Sequence, residues 1–221
     1  PTGLDALNKV LRAYVTDRGK IINETTLCES KNTQTPSAEM AMSWVNQVLD
    51  TKSRLDGVLA TSFQGDKSCE AAINEAMDTF INLNTRAPEF ISLYIDEHLR
   101  KGTRFADDTT ALEPVLDKTI TIFRYVHEKD VFERYYKMHL TRRLLHNRSA
   151  SDDAERSMIA KLKVECGHGY VQKLQGMLND MKLSEEVLRA FHHTLERERT
   201  SLPLQLNVNV LTATYWPIAS P

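Results

Sequence analysis

The chain has 221 residues, 41% of them hydrophobic and 26% charged, with a formal net charge of −2 at pH 7. This length can bury a sizeable core, as one elongated domain or two small ones, while the balanced charge excludes a global attraction to nucleic acid or anionic membranes. Three separated cysteines without CxxC spacing favour a reducing compartment over a disulfide framework or a structural zinc site. No apolar run approaches the ~20 residues that span a bilayer.

Apolar residues at helical spacing dominate the first part of the chain. A first helix is predicted from residue 4 to about residue 22, and its apolar face consists of Leu4, Leu7, Leu11, Tyr14 and Val15. Residues 23–36 are rich in Thr, Ser and Asn and predict a loop. A long helix then runs from Met40 to Phe63, and Asp66 caps a third helix that carries apolar residues as far as Ile81.

Two more helices lead to the middle of the chain. Pro88 stands at the start of the first, where its missing N–H costs nothing, and Lys101-Gly102 ends it. The second begins at residues 107–110 and extends to Val126. Pro114 is expected in its first turn, because deeper in the helix the ring would remove a backbone hydrogen bond.

The stretch from Lys129 to Tyr170 predicts two amphipathic helices joined by a short polar turn. Apolar residues cover most of the first helix, which is therefore expected to touch several neighbours. Asp130 and Glu133 are its expected N-cap pair. Ser151 caps the second helix, and Gly167 ends it as a C′ glycine.

The end of the chain changes character. Two further helices are predicted, the second capped by Ser184. Residues 204–210 then alternate strictly between apolar and polar side chains, which predicts a half-buried strand. A single strand cannot satisfy its own backbone groups, so residues outside this sequence or another chain must pair with it. The helices before it divide into antiparallel helices near 1–110 and a compact four-helix unit near 111–200.

Several segments of this sequence resemble the cullin family. VFERYYKMHLTRRLL (131–145), followed by SASDDAERSMIAKLKVECG (149–167), is similar to the start of the cullin homology region, and the match is long and nearly gapless. LDTKSRLDGVLATSF, INLNTRAPEFISLYIDEHLRKG and IFRYVHEKDVFERYY resemble the cullin-three class, which uses BTB-domain adaptors. VLTATYWP resembles the family's VLTTGxWP. Thr141 replaces a usual Ala, and Ala213-Thr214 replace Thr-Gly, whose glycine would ease a turn.

The resemblance implies an all-α, elongated fold with one β-strand at its carboxyl end. Its expected parts are a partial third cullin repeat (1–110), the four-helix bundle of the cullin homology region (111–200) and the truncated start of an α/β subdomain (201–221). The implied function is a non-catalytic scaffold of a cullin–RING ubiquitin ligase, which rigidly separates a BTB-type substrate adaptor from the RING and ubiquitin-conjugating enzyme module. No catalytic residue, cofactor or metal is expected. The alternative is a generic helical protein-interaction or nucleic-acid-binding module, which predicts salt-sensitive oligonucleotide binding.

The resemblance also implies partners. A RING-box protein adds a strand to the α/β sheet, to which Leu206, Val208 and Val210 would belong. BTB adaptors bind an amino-terminal region that we expect to lie outside this sequence. The lysine that is modified in neddylation is also expected to lie outside it. The ubiquitin-conjugating enzyme is held indirectly, and cullin exchange and deneddylation factors are further expected partners. Neither nucleic acid nor membrane is expected, and the expected location is the cytoplasm and nucleus.

The helix that follows residue 128 is basic, and its candidate partner-binding cations are Lys129, Arg134, Lys137, Arg142 and Arg143. One interpretation is solvated charge whose alkyl stems lie over the bundle. The other, implied by the resemblance, is a docking surface for the acidic tail of a conjugating enzyme. Nucleic acid is the weakest reading, because aromatic residues for base stacking are not interleaved with these cations.

Cys166 and His168 raise the question of a reactive thiol or half a metal site. Their placement at a helix end does not establish either geometry, and no second ligand pair has the right spacing. The sequence therefore favours a structural cysteine beside a turn histidine.

Overall fold

The computed structural model describes residues 3–29, 37–102, 109–198, 204 and 206–217. Within them the chain forms eight α-helices: α1 (Gly3–Glu29), α2 (Ala38–Ser62), α3 (Lys67–Leu83), α4 (Ala87–Leu99), α5 (Thr109–Phe123), α6 (Lys129–Leu145), α7 (Asp152–Cys166) and α8 (His168–Arg197). The predicted all-α class is confirmed. None of the described helices has the length and hydropathy that a membrane crossing requires.

The helix α1 extends further than predicted, because the face of its last turns is buried. Asn23 is 6% exposed, its Oδ1 accepts a hydrogen bond from Trp44 Nε1 at 2.8 Å, and its Nδ2 donates to the Phe80 carbonyl at 2.9 Å. One polar side chain thus joins α1 to both α2 and α3. The prediction of a loop from Asn23 is wrong as far as Glu29, and residues 30–36 lie outside the described part of the chain.

The helix α4 lies at the centre of the molecule. It packs against α2 on one side and α6 on another, and Phe90, Ile91, Ile95 and Leu99 are fully buried. One core cluster runs from Val15 in α1 to Trp216 near the end of the chain. The division into parts at residues 110 and 200 stays a prediction, since a continuous core neither requires nor excludes it.

Several predicted helix ends are confirmed. Asp66 Oδ1 accepts hydrogen bonds from the N–H groups of Ser68 and Cys69, and Ser151 Oγ accepts one from Ala154 N at 3.1 Å. The bond from Cys69 N is the main reason that the pKa of Asp66 is lowered. Gly167 ends α7 with a φ of 86°, a conformation that favours glycine.

Other predicted helix ends are wrong. The residue before α6 is Glu128, so Asp130 lies inside the first turn and does not cap it. Pro114 lies inside α5, beyond its first turn, where the helix lacks one backbone donor. The two helices expected after Tyr170 are one, α8, and Ser184 is a buried residue within it.

The predicted carboxyl-terminal strand is not confirmed. Residues 206–212 have no regular secondary structure, and no strand lies beside them in the described part of the chain. The side chains of Leu206, Val208 and Val210 are 42%, 47% and 56% exposed. Without a neighbouring strand, the backbone ladder that defines a sheet cannot form.

Candidate partner-docking surfaces

A buried ionic cluster joins α4, α6 and α7. The Arg143 side chain is 2% exposed and donates two hydrogen bonds to Glu155, from Nε to Oε1 at 2.7 Å and from Nη2 to Oε2 at 2.9 Å. Its Nη1 donates to Asp96 Oδ1, and Ser149 Oγ donates to Glu155 Oε1 at 2.7 Å. Arg143 is therefore not part of the predicted docking surface, because its guanidinium is engaged in the interior.

Burial and neighbouring charges shift the pKa values of Arg143, Tyr136 and His139. Burial alone would lower the pKa of Arg143, but the charge and hydrogen bonds of Glu155 raise it above its ordinary value. Burial also raises the pKa of the adjacent Tyr136. Burial lowers the pKa of His139 to about 4, and its Nδ1 lies 2.8 Å from Ser92 Oγ. At neutral pH the site thus holds a charged arginine beside a neutral histidine.

Lys129 is also engaged within the molecule. Its Nζ donates to the carbonyl of Val126 at 2.8 Å and lies within 3.5 Å of the carbonyls of Phe123 and Arg124. The same ammonium lies 4.9 Å from the centroid of the Phe123 ring. A cation at these carbonyls stabilises the carboxyl end of α5. Lys129 is thus tied to the turn between α5 and α6.

The remaining three predicted cations form the basic face of α6, defined here as Arg134, Lys137 and Arg142. Arg134 and Arg142 are exposed and Lys137 is partly exposed, and no acidic residue in the described part of the chain forms an ion pair with them. Eight residues separate the first and last, about 12 Å along a helix. Arg142 also lines a cavity of about 330 Å³ with His146 and Arg148. This face is able to attract an extended acidic segment.

The carboxyl-terminal segment, residues 206–217, is attached to α8. The carboxylate of Asp180 accepts three hydrogen bonds, from Thr212 N at 2.7 Å, Thr212 Oγ1 at 2.9 Å and Trp216 Nε1 at 2.8 Å. Ser184 Oγ accepts from Val210 N at 2.8 Å and lies 3.2 Å from its carbonyl oxygen. A cavity of about 730 Å³ lies between this segment, α8 and the turn between α6 and α7, and its lining includes Asn147, Leu188 and Val208.

Sequence reasoning missed the residues that organise both surfaces. Asp96 and Asp180 are acidic residues beside the apolar faces of their helices, and both are at least 92% buried. That placement is the available signal, because a buried carboxylate needs a partner. The sequence could not supply the partner's identity, since Arg143 and Thr212 lie far along the chain from these acids.

Nothing at Cys166 indicates chemistry. Burial is the main cause that raises the pKa of its thiol, which disfavours the thiolate, and His168 is exposed. Among the described residues, no group of three or more His, Cys, Asp or Glu side chains could hold a metal ion.

Comparison with known proteins identifies one family. Residues 1–188 match the family model of the cullin alpha solenoid domain. Cullin-3 of Schizosaccharomyces pombe is 44% identical over 221 residues, which cover 98% of this chain and 28% of that relative. Cullin-3 of Dictyostelium discoideum is 42% identical, with 97% and 27% covered, and human Cullin-4A is 42% identical over 178 residues, with 80% and 23% covered. The chain therefore spans about a quarter of the length of these relatives.

Proposed function

This chain belongs to the cullin family, and we propose on that basis that it is part of the non-catalytic scaffold of a cullin–RING ubiquitin ligase that uses BTB adaptors. The match to Cullin-3 relatives along nearly the whole chain is the observation that carries this proposal. A scaffold of this kind acts by holding two partners at a fixed separation, which raises their effective concentration without bond-making of its own.

Contacts across residue 110 support the rigid-spacer role. At the end of α3, Asn82 Oδ1 accepts a hydrogen bond from His127 N at 2.9 Å, and its Nδ2 donates to the Tyr125 carbonyl at 2.8 Å. The Tyr125 hydroxyl donates to Asn74 Oδ1 at 2.7 Å. Together these bonds attach the turn between α5 and α6 to α3, so bending at this point has to break them.

The end of α4 is attached to the turn between α6 and α7 as well. The backbone N–H of Ala150 donates to the Leu99 carbonyl at 2.8 Å, and that of Lys101 donates to the Arg148 carbonyl at 2.7 Å. The buried Arg143 cluster lies directly beneath these bonds. The cluster and these backbone bonds form one connection, and the bonds of Asn82 and Tyr125 form a second; both oppose relative motion of the two halves.

Two surfaces are available for partners in this proposal. Leu206, Val208 and Val210 present exposed apolar side chains to a strand of a RING-box protein. The basic face of α6 receives the acidic tail of the ubiquitin-conjugating enzyme, by charge attraction that salt weakens. Cullin exchange and deneddylation factors are further proposed partners, and we propose the cytoplasm and nucleus as the location of the assembly.

Co-purification of the full-length protein tests the assignment. We expect it to recover a RING-box protein and a BTB adaptor, and recovery of neither would exclude the proposed assembly. Val208→Asp should reduce RING-box recovery, because a charge would be buried in the interface. Val164→Asp is the matched control, since Val164 is 84% exposed on α7, away from this segment.

Salt dependence tests the basic face separately. With the RING-box protein bound, Arg134→Glu together with Lys137→Glu should weaken capture of an acidic conjugating-enzyme tail, and added salt should weaken it in the unmodified protein. Lys9→Glu together with Arg18→Glu, both exposed on α1, is the control with the same change in total charge. Equal loss in the control would show that position on α6 is irrelevant.

A further inference from the structure

A basic cavity lies between α4, α6 and the turn that follows α6. Its volume is about 330 Å³, and the polar side chains that line it belong to one acid, two histidines and four arginines. His139, Arg142 and His146 follow one another at three- and four-residue spacing, which places them on one face of α6 and its last turn. Asp96 and Arg100 line the cavity from α4. The fold therefore brings cations of two helices to the walls of one cavity.

The acid of the cavity is covered by donors. Both oxygens of Asp96 are engaged, Oδ1 by the guanidinium of Arg143 and Oδ2 by that of Arg100. The same two arginines pair with further acids outside the cavity, Arg143 with Glu155 and Arg100 with Glu97. These two cations are therefore committed to carboxylates of the protein, and an approaching ligand does not meet a bare Asp96.

The other two arginines, Arg142 and Arg148, are exposed at the mouth of the cavity and form no ion pair with an acid in the described part of the chain. The backbone of Arg148 is fixed on both sides, because its N–H donates to the Arg143 carbonyl at 2.7 Å and its carbonyl accepts from Lys101 N at 2.7 Å. The cations around the cavity thus exceed the acids that pair with them. Guanidinium groups in this state favour a ligand with several anionic oxygens.

His139 lies at the buried floor of the cavity with one ring nitrogen unused. The residue is 7% exposed, and its Nδ1 lies 2.8 Å from the Ser92 hydroxyl. That hydroxyl has no other hydrogen-bond partner among the described residues, so we assign it as the donor to Nδ1, and a neutral ring then carries its proton on Nε2. This N–H has no acceptor within the described residues. A buried donor without an acceptor costs free energy, which an oxygen atom of a ligand offsets.

We propose that this cavity binds one tetrahedral oxyanion, either inorganic phosphate or the phosphoryl group of a small phosphomonoester, between the His139 N–H and the guanidinium groups of Arg142 and Arg148. The inference goes beyond the proposed function and does not depend on it. Of the basic face of α6, Arg142 alone lines the cavity, so the site is separate from Arg134 and Lys137. The bound anion joins α6 to the turn that follows it and adds to the attachment of that turn.

Calorimetric titration of the full-length protein with sodium phosphate tests the site. We expect saturable binding, with no comparable heat from sodium chloride at equal ionic strength. Arg142→Gln and Arg148→Gln should each weaken binding at least about tenfold, because each removes a charge-assisted hydrogen bond. Arg18→Gln on α1, which removes an exposed arginine far along the chain, is the matched control and should leave the affinity unchanged. An equal loss in the control, or binding no stronger than that of chloride, would overturn the proposal.

Titration with methyl phosphate distinguishes the two sources of the oxyanion. If methyl phosphate binds at least as tightly as phosphate, the ligand is a phosphomonoester whose organic group leaves through the mouth of the cavity. If phosphate binds more tightly, the free ion is the ligand.

Chemical modification of arginine side chains locates the bound anion. With phosphate at about ten times its dissociation constant, the reaction of phenylglyoxal with Arg142 and Arg148 should slow about tenfold, because the occupied cavity shields both guanidinium groups. Mass spectrometry of the digested protein measures each position. Arg134, on the same helix and outside the cavity, should react as before. Equal protection of all three would indicate adventitious ions along α6 and would overturn the site.

His139→Phe tests the floor of the cavity. The change keeps an aromatic ring but removes the N–H, so phosphate binding should weaken at least about tenfold. His139→Gln retains a side-chain N–H and should lose less affinity. The thermal midpoint without phosphate shows whether each variant is folded, and unchanged affinity in a folded His139→Phe would contradict the role of His139. The two exposed arginines test the site even if neither variant of the buried histidine folds.

Discussion

Arg143 is the residue on which the centre of the molecule depends most. It carries one positive charge between two buried carboxylates, and Arg100 adds a second cation to Asp96 from the solvent side. Charges in such a place are tolerated because every one of them is paired and hydrogen-bonded. Glu155 is fully buried, and if the central cation is removed, Ser149 is the remaining side-chain donor to its carboxylate.

Arg143→Met should destabilise the protein by about 3–5 kcal/mol, because an uncompensated carboxylate remains in the interior. Urea unfolding followed by circular dichroism measures the loss. Arg124→Met is the matched control: Arg124 is 59% exposed in its pair with Glu165, and such a pair contributes about 0–1 kcal/mol. Arg143→Met combined with Asp96→Asn and Glu155→Gln should recover much of the loss. Equal effects of the two single changes would contradict the argument.

His139 makes the stability of the protein depend on pH. Its pKa is about 4 in the folded protein and 6.5 ordinarily, so below pH 6.5 the unfolded chain binds a proton that the folded chain does not. Stability therefore falls as the pH falls through this window, by about 2 kcal/mol between pH 8 and pH 5. His139→Gln should remove most of that dependence in urea unfolding at pH 5–8. His193→Gln, on the exposed face of α8, should leave it unchanged, and an unchanged slope in His139→Gln would refute the argument.

At the level of helices, the closest approach of α1 to α3 depends on Gly19. The residue is buried in the middle of α1, and a Cβ atom there would lie only 2.0 Å from Cγ of the Phe80 ring, which is fully buried in α3. Helix propensity alone favours replacing a glycine in this position by about 1 kcal/mol. Packing opposes it, since neither the ring nor the helix axis has room to move.

Gly19→Ala should therefore destabilise the protein by about 1–3 kcal/mol in spite of its better helix propensity. Gly57→Ala in α2 should do the opposite and stabilise by up to about 1 kcal/mol, because nothing lies within 4 Å of the added methyl group. Thermal unfolding of the two variants measures both effects. A stabilising Gly19→Ala would mean that α1 and α3 are not in close contact in solution.

The sequence predicts that the helices are present, but it predicts their ends correctly only where a cap residue marks them. Ser151 and Gly167 were predictable because a capping hydroxyl and a left-handed glycine act locally. Ser184 has the same hydroxyl, but the chain continues helically through it and the hydroxyl binds Val210. Asn23 begins a segment whose composition is typical of loops, yet hydrogen bonds with Trp44 and Phe80 keep this residue in the helix.

The candidate docking residues divide for a similar reason. Arg134, Lys137 and Arg142 were identifiable as cations on one helix, and the helix places them together. Lys129 and Arg143 are the same residue types on the same helix, but carbonyls of the preceding turn engage Lys129 and buried carboxylates engage Arg143. Residue type gives the charge, whereas burial depends on which helix covers that position.

At the scale of the whole molecule, the central question is whether the two halves move relative to one another. The bonds of Asn82 lie at one point of the junction, and the Arg143 cluster lies beside the backbone bonds at Ala150 at another. Relative motion of the halves has to break bonds at both points. A stiff junction is what a spacer between two partners requires.

Distances between spin labels at Val10 on α1 and Val164 on α7 test this stiffness. Both residues are well exposed, at 66% and 84%, so cysteine labels at these positions should not disturb packing. Cys28 and Cys166 are replaced by Ser so that neither of them carries a label. Double electron–electron resonance should give a single narrow distance distribution. It should be no broader than that of a control pair within α2, at positions 43 and 61.

Arg143→Met in the doubly labelled protein should broaden the α1–α7 distribution and leave the α2 control unchanged, because it loosens the attachment of α4 to α6 and α7 without touching α2. A broad or two-peaked distribution in the unmodified protein would show that the junction bends. The chain would then act as a flexible tether, whose effective concentration depends on reach and not on a fixed separation.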